Sequence, residues 1–487
     1  MKTPMQWTIR EIVEATSGSL LSGGCRDGFP AVRIDSRKMA AGDVFVAVKG
    51  PRFDGHDFIE GDVDRKAGCL VISRNQTNRF SAMDFEKNNI CLVAVDDTIE
   101  ALGGLASYRR RQAGIPVVGI TGSTGKTTTR EMAMAICRRR FETLSTSGNL
   151  NNEIGLPLTM FNLSSDHQLA LLELGMNHPG EISRLSAICR PDIGVITNVG
   201  PAHLEGLKDV ASVAAAKGEL LGNIRPGGAA ILNADDPYGH KLKKTSPVRV
   251  VMFGTSDEAQ VRAENISPGN GRMAFTLVIT DPRPEVRIDI TLNVYGAFMV
   301  RNALSAAAVA HLLEIGPETI KAGLEAFRAV EGRMMIYETS GGAYVIDDTY
   351  NANPMSMEAA ITALTGLTGR KGGILVAGDM LELGSAAKHH HERIGQIAGA
   401  AGISRLYLTG SYASQVTQGA KSAGMAGSDI FVGTKTDIAK DLAQRLKKGD
   451  WVLVKGSRST GMEEIVRQMT TGARLRTPDF RNPGDAE

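Results

Sequence analysis

The stretch GITGSTGKTTTRE, Gly119–Glu131, decides how the rest of the chain is read. The apolar run PVVGIT leads into it. KTTTREMAMAICRRR follows, with Met132 and Ile136 on one helical face. Strand, glycine loop and helix form the setting in which backbone N–H groups at a helix N-terminus cradle phosphate oxygens. The usual loop is G-x-x-x-x-G-K-[ST]. Gly125, Lys126 and Thr127 supply its end, but Ile120 stands where its first glycine belongs, and the loop glycine is Gly122. The expectation is a shortened phosphate loop. Gly122, Ser123, Thr124 and Gly125 wrap the phosphates, with Thr128 beside them in the helix. Lys126 adds a point charge, and the Thr127 hydroxyl reaches Mg2+.

Outward from this loop the chain alternates apolar strands with helices, the pattern of a parallel α/β sheet. LALLELG, DIGVITNVG, AAILNADDP and VRVVMFG are further strands, with polar residues directly after each run. In such sheets ligands sit beyond the carboxyl ends of the strands. Before the loop, TIREIVEATSG reads as a small helix stopped by Gly18, and DVFVAVKG as an alternating strand. After it, alternating strands span about Ala263 to Val294. A second doubly wound region follows EGRMMIYE, with strands AYVID, GGILVAGD, SRLYLTG, IFVG and WVLVKG. The fold class is therefore α/β with three domains. Residues 1–100 form a small α/β domain, 101–328 the central P-loop domain and 329–487 a C-terminal Rossmann-like domain. The tail after Arg474 is expected to fray.

With 487 residues and a net charge of +2, the chain has no bulk electrostatic reason to bind nucleic acid or membranes. The basic groups Arg109–Arg111 and Arg138–Arg140 read as solvated helix ends. Five cysteines, Cys25, Cys69, Cys91, Cys137 and Cys189, are scattered singly, as in a reduced compartment. No run approaches the roughly 20 apolar residues of a membrane span. A cytoplasmic protein is expected.

Several strand ends carry groups with chemistry. Glu173 closes LLELG, where a buried carboxylate is costly unless paired or metal-bound. His203 follows another strand in NVGPAHLEG; a histidine alone in such a place is more often a hydrogen-bonded loop residue than a ligand. Lys217, in SVAAAKGELL, reads on spacing as a surface lysine. VIDDTYNANPMSM places Asp347, Asp348, Tyr350, Asn351 and Asn353 at one strand end before Pro354, a pattern a capped turn also explains. Arg333, Lys455, Ser457 and Arg458 sit in loops, where arginine suits carboxylate or phosphate.

Taken in order, TGSTGKTTT, TSGNLNNEIGLP, LELGMNHPGEI, ITNVGPAHLEG, AAAKGEL, DDTYNANPMSM, AGDMLELG and VKGSRSTGMEE resemble the Mur ligases. These are ATP-dependent amide ligases of peptidoglycan precursor synthesis. The resemblance spans roughly residues 20 to 470, and the family shares the shortened loop. SGNLNNEIGLP, ELGMNHPGEI and DDTYNANPMSM are most similar to the branch that adds D-alanyl-D-alanine. The D-N-P-R tetrapeptide of the diaminopimelate-adding branch is absent.

The resemblance implies a first domain for the UDP-sugar substrate, a central one for ATP and Mg2+, and a last one that holds the incoming amine and closes over the site. It implies that Ser36 and Arg37 meet the nucleotide substrate and that Asn149, Asn151 and Asn152 line its path. It makes Lys126, Lys217 and His203 catalytic. It makes Thr127, Glu173 and His203 metal ligands, and Lys217 a carbamylated lysine that joins them. It places Asn302, Arg333, Asp348 and Asn351 at ATP, and Lys455, Ser457 and Arg458 at substrate in the last domain. The implied partners are UDP-N-acetylmuramoyl-tripeptide, D-Ala-D-Ala and ATP, with no nucleic acid and no membrane span, in a monomer. Two other readings stay open: a sister or folylpolyglutamate-type ligase adding a single amino acid, and a nucleotide-binding regulatory protein.

Overall fold

The computed structural model describes residues 6–23, 28–63, 66–269, 271–281, 284–369 and 372–475. The tail beyond residue 475 and Cys25 lie outside them. Three sheets organise the chain.

The first sheet has five strands: β1 Ser19–Ser22, β2 Val32–Arg33, β3 Asp43–Val46, β4 Ala67–Ser73 and β5 Cys91–Val95. Their order is β1-β5-β4-β3-β2, with only β1 antiparallel. The expected alternation of DVFV is not found. All four residues of β3 are buried, because both faces of the sheet are covered. The helix Ile9–Thr16 starts at a Thr8–Glu11 capping box. It ends at Ser17, not Gly18: Ser17 takes the left-handed conformation (φ 51°) and its N–H closes the last turn.

The helix Thr98–Ala113 leads out of this sheet. Its first two arginines are not solvated, contrary to the expectation from composition. The Arg109 guanidinium lies 4.0 Å over the Trp7 ring, and Arg110 bonds the Cys189 carbonyl and Asp192. Both are buried against neighbouring elements, while Arg111 and Arg138–Arg140 are exposed as expected.

The central sheet contains β6 Val117–Thr121, β7 Thr143–Ser145, β8 Leu169–Glu173, β9 Ile193–Ile196, β10 Ala229–Asn233, β11 Arg249–Gly254, β12 Val261–Gly269, β13 Arg272–Ile279 and β14 Val286–Leu292. Their order is β14-β13-β12-β11-β10-β9-β6-β8-β7. β7 to β12 run parallel, and β13 and β14 extend the edge as an antiparallel meander. From β6 the chain moves to one side for β7 and β8, then crosses to the other for β9. The strand order therefore reverses at β6, and a crevice opens at its carboxyl end.

The third sheet contains β15 Met335–Glu338, β16 Tyr344–Asp348, β17 Ile374–Ala377, β18 Arg405–Leu408, β19 Ile430–Val432, β20 Trp451–Lys455 and β21 Arg474–Leu475. Their order is β19-β18-β17-β20-β16-β15-β21. β20 is inserted between β16 and β17, so the loops after these three strands emerge side by side. Strand interiors such as Val345, Val376, Tyr407 and Val454 are fully buried. At about 25 cal/mol per Å2, each such side chain contributes about 1.5–3 kcal/mol. That core holds the short polar loops in place.

Candidate functional site

The loops of the central and C-terminal sheets face one another across a cleft of about 1450 Å3. Ligand pockets commonly run from about 300 to 1,000 Å3, so this one has room for more than one molecule.

One bank is the shortened loop. Gly122 has φ 152°, and a Cβ there would stand 1.8 Å from Thr197 Oγ1 on the neighbouring strand end. Gly125 has φ 79°, and a Cβ there would stand 2.4 Å from Asn302 Oδ1. Only glycine permits both approaches. The segment after β9 stitches the loop down. Asn198 Oδ1 accepts from Thr124 N at 2.9 Å, Thr197 Oγ1 donates to Thr124 O at 2.6 Å, and Ser123 Oγ accepts from Gly200 N at 2.9 Å. The helix Lys126–Cys137 points its N-terminus at the cleft. Lys126 Nζ donates to Gly122 O at 2.6 Å, and burial pulls its pKa below the ordinary lysine value.

Glu173 is 1% exposed, at the end of β8. Its Oε1 lies 3.2 Å from Arg130 Nε, an ion pair whose geometry is not that of a hydrogen bond. Asn151 Nδ2 approaches the other oxygen at 3.5 Å. Asn152 caps the next helix through Gly155 N at 2.8 Å, and Asn149 is exposed beside it on the cleft wall.

Lys217 departs from its reading as a surface lysine. It is 1% exposed and among the largest fully buried side chains. The helix Val210–Gly218 is alanine-rich because it is packed on its neighbours, not because it is a free surface helix. Burial and the nearby Lys126 charge drive the Lys217 pKa well below that of a free lysine. Burial, with Lys126 and Lys217 close by, also holds His203 below the ordinary imidazole value, despite its bond to Glu382.

The other bank belongs to the C-terminal domain. Arg333 stacks 4.2 Å over the Tyr350 ring and donates from Nη2 to Thr127 Oγ1 at 2.8 Å. Its Nε is buried without a hydrogen-bond partner. Asn353 Nδ2 donates to Ser123 O at 3.3 Å while its Oδ1 caps the helix Pro354–Thr368. Asp348 accepts from Lys455 Nζ at 2.6 Å, and Lys455 also bonds Asn351 O at 2.9 Å. Lys455 therefore lines the cleft but is engaged within its own domain. Ser457 Oγ likewise joins two loops, through Leu381 N at 2.9 Å and Ala352 O at 3.3 Å. Arg458 is exposed on the cleft wall, 5.6 Å from the Tyr350 ring.

Thus the cleft gathers Ser123 to Thr128, Asn149, Asn151, Asn152, Glu173, His203, Asn302, Arg333, Asp348, Asn351, Lys455, Ser457 and Arg458. Gly122 and Lys217 do not line it, although Lys217 is near enough to feel the charge of Lys126. Ser36 and Arg37 do not line the cleft. They form a short turn in the first domain, where Arg37 is paired with Asp35 at 2.9 Å. Arg130, Asn198 and Glu382 join the site without a role that the sequence alone assigns them. Asn198 and Glu382 follow strands in quoted motifs, and that position was their only signal. Arg130 had none, being one cation inside a helix.

Among the described residues no three His, Cys, Asp or Glu side chains gather as a metal-holding group. No helix of them is long and apolar enough to cross a membrane.

A shortened phosphate loop at a sheet's switch point, faced by a second doubly wound domain, defines a nucleotide-dependent enzyme with its site between domains. The family model of the Mur ligase middle domain matches residues 120–310. That of the glutamate ligase domain matches 332–458, and that of the family's catalytic domain 29–110. The chain is 36% identical over 466 residues to UDP-N-acetylmuramoyl-tripeptide--D-alanyl-D-alanine ligase of Escherichia coli, covering 95% of this chain and 98% of that one. Its structure resembles MurF from Acinetobacter baumannii with TM-score 0.86 and 31% identity, covering 96% and 99% of the two chains. It resembles the MurF ligase from Thermotoga maritima in complex with ADP with TM-score 0.79 and 29% identity, covering 90% and 96%. The chain belongs to the Mur ligase family.

Proposed function

We propose that the protein joins D-alanyl-D-alanine to UDP-N-acetylmuramoyl-tripeptide at the expense of ATP, as a cytoplasmic monomer in peptidoglycan precursor synthesis. The observation that carries this reading is the cleft itself. It sets a phosphate loop opposite a second polar bank, with space for more than one molecule. The likeness to tripeptide–dipeptide ligases over nearly the whole chain supports the choice of substrates.

The chemistry needs activation. A carboxylate is a poor acyl donor because its leaving group would be oxide. Phosphoryl transfer from ATP makes an acyl phosphate, and the amine then displaces phosphate to give the amide. In this arrangement the loop N–H groups and Lys126 hold the phosphates and offset charge on the transferring group. Arg333, with its unpartnered Nε, is placed to meet phosphate when it leaves Thr127. Asn302 and Asp348 hold the nucleoside side of the cleft. Asn149, Asn151 and Asn152 line the path of the UDP substrate, which Ser36 and Arg37 meet in the first domain. Arg458 faces the incoming dipeptide. Closure of the C-terminal domain shields the acyl phosphate from water.

The residues fit Mg2+ if Lys217 is modified. Glu173 offers a buried oxygen without a hydrogen bond, and Thr127 offers a hydroxyl. Lys217 as an ammonium does not fit, since it is buried beside Lys126 and, among the described residues, pairs with no carboxylate. Burial favours its neutral amine, the form that adds to CO2 and gives up one proton in doing so. The carbamate so formed is anionic, offers oxygen ligands and offsets the charge of Lys126. Glu173, Thr127, His203 and carbamylated Lys217 would hold the ion, which supplies Lewis-acid stabilisation of the phosphoryl oxygens.

The test is phosphate release with ATP, Mg2+ and UDP-N-acetylmuramoyl-tripeptide, with and without D-Ala-D-Ala. Release that requires the dipeptide, with a product heavier by one dipeptide less water, is expected. Release with a single amino acid instead moves the protein to a sister ligase. Binding of ATP without release under any amine removes the ligase reading.

A further inference from the structure

Two side chains outside the loop meet where the domains touch. Glu382, in the loop after β17, places Oε2 2.6 Å from His203 Nδ1. An ionised carboxylate only accepts, so Nδ1 donates, and in the neutral ring Nε2 then keeps its lone pair. A ligating imidazole is normally held in this way, by a carboxylate or carbonyl on its far nitrogen. Here the carboxylate comes from the other domain.

The backbone is built around this contact. His203 has φ 56° and Glu382 has φ 62°, the left-handed region that side chains other than glycine rarely enter. Such conformations persist where surrounding structure imposes them, and they gather at functional sites. The loop is docked by Glu205 N, which donates to Glu382 O at 3.1 Å. Gly384, with φ 54°, lets it approach so closely that a Cβ would lie 3.2 Å from Glu205 Cα. An ordinary half-exposed ion pair contributes little and requires no such backbone.

We propose that Glu382 is a positioning residue that couples closure of the C-terminal domain to the metal site, by completing a carboxylate–histidine pair with His203 only when the domains are closed. The proposal rests on the reading of His203 as a metal ligand. Coupling of this kind is reciprocal: metal favours closure, and closure strengthens metal binding by the same factor.

The experiment compares the intact wild-type protein with Glu382→Gln, Glu382→Asp and His203→Ala, each checked for folding by circular dichroism. Two quantities are read. One is the Mg2+ concentration at half-maximal phosphate release under saturating ATP. The other is the radius of gyration by X-ray scattering, with ADP, as Mg2+ is added. The wild type should contract on adding Mg2+. Glu382→Gln should need roughly tenfold more Mg2+ for both effects, the lower end of what losing such a partner costs. Glu382→Asp, which keeps the charge, should recover part of the difference. An unchanged midpoint and unchanged contraction in Glu382→Gln overturn the proposal, as does a wild type whose dimensions ignore Mg2+. If His203→Ala shifts the midpoint and Glu382→Gln does not, the coupling fails and the ligand reading stands. If His203→Ala leaves the midpoint unmoved, the ligand reading itself fails.

Discussion

Arg333 Nη2 donates to Thr127 Oγ1 at 2.8 Å, although 206 positions of sequence separate them. A cation of the C-terminal domain thus touches the hydroxyl at the mouth of the phosphate loop, braced from behind by the Tyr350 ring. A hydrogen bond to a charged group contributes about 1.5–3 kcal/mol. Arg333→Ala should therefore raise KM for ATP by roughly 10- to 100-fold. Arg333→Lys should recover little of it, because an ammonium cannot stack and fork at once. Steady-state kinetics at varied ATP checks this. An unchanged KM would show that the guanidinium serves only the domain contact.

Lys126→Ala and Glu173→Ala should each abolish measurable ligation while leaving the fold intact. The loss of one preorganised electrostatic contact costs about 3–4 kcal/mol, or 10²–10³ in rate. Product analysis by mass spectrometry, beside a thermal melt, separates loss of chemistry from loss of structure. Near-normal turnover in either variant removes that residue from the mechanism.

Lys217 sets function against stability. In the unfolded chain its amine stays protonated up to about its ordinary value of 10.5, whereas the folded group loses the proton well below that. Between the two values the unfolded state binds more protons, so this group makes stability rise with pH. Lys217→Met should remove that slope and make the protein more stable, because the buried amine it replaces pairs with no carboxylate among the described residues. It should also be inactive. Urea unfolding in CO2-free buffer at a series of pH values below 10.5 reads the first claim, and turnover with added bicarbonate the second. A less stable Lys217→Met would mean that the amine has a partner in the fold.

Gly122→Ala should damage the loop beyond any loss of flexibility. The new Cβ would collide with Thr197 Oγ1, on a backbone that side chains avoid. Overpacking of this kind costs about 1–3 kcal/mol. Nucleotide binding followed by calorimetry should fall with it. Gly114→Ala, also at positive φ but with open space around its Cβ, controls for backbone strain alone.

The thiols offer a chemical test of the fold. Cys69, Cys91, Cys137 and Cys189 are all buried, and burial pushes Cys137 and Cys189 up to about 12. An aromatic disulfide reagent at mildly alkaline pH should leave these four untouched in the native protein and titrate them after denaturation. Rapid labelling of any of the four would contradict the packing described above.

How far the sequence could be read depended on whether a signal was local. The loop from Gly122 to Thr128 was legible because strand, glycines and helix are consecutive. Glu173 and His203 were visible as polar groups after apolar runs. Lys217 was not, since its burial comes from helices packed around it and an alanine-rich helix looks the same at a surface. Arg109 and Arg110 were misread for the same reason, because Trp7 and Asp192 lie far away along the chain. Asp348 and Lys455 were both picked out, but their pairing follows from β20 entering beside β16, which no single stretch announces. Ser17 takes the left-handed turn although Gly18 stands next to it, while Gly18 lies against β5, where a Cβ would stand 2.6 Å from Val93 Cγ1.

The two banks of the cleft belong to separate domains, and that makes inhibition a mechanical question. A compound that occupies only the loop from Gly122 to Thr128 would not oppose the proposed closure of the opposite bank. A stiff compound long enough to touch Thr127 and Tyr350 together would act as a splint against the proposed closure, holding the two banks in one posture. Its escape would then be timed by the opening of the domains rather than by the area it covers.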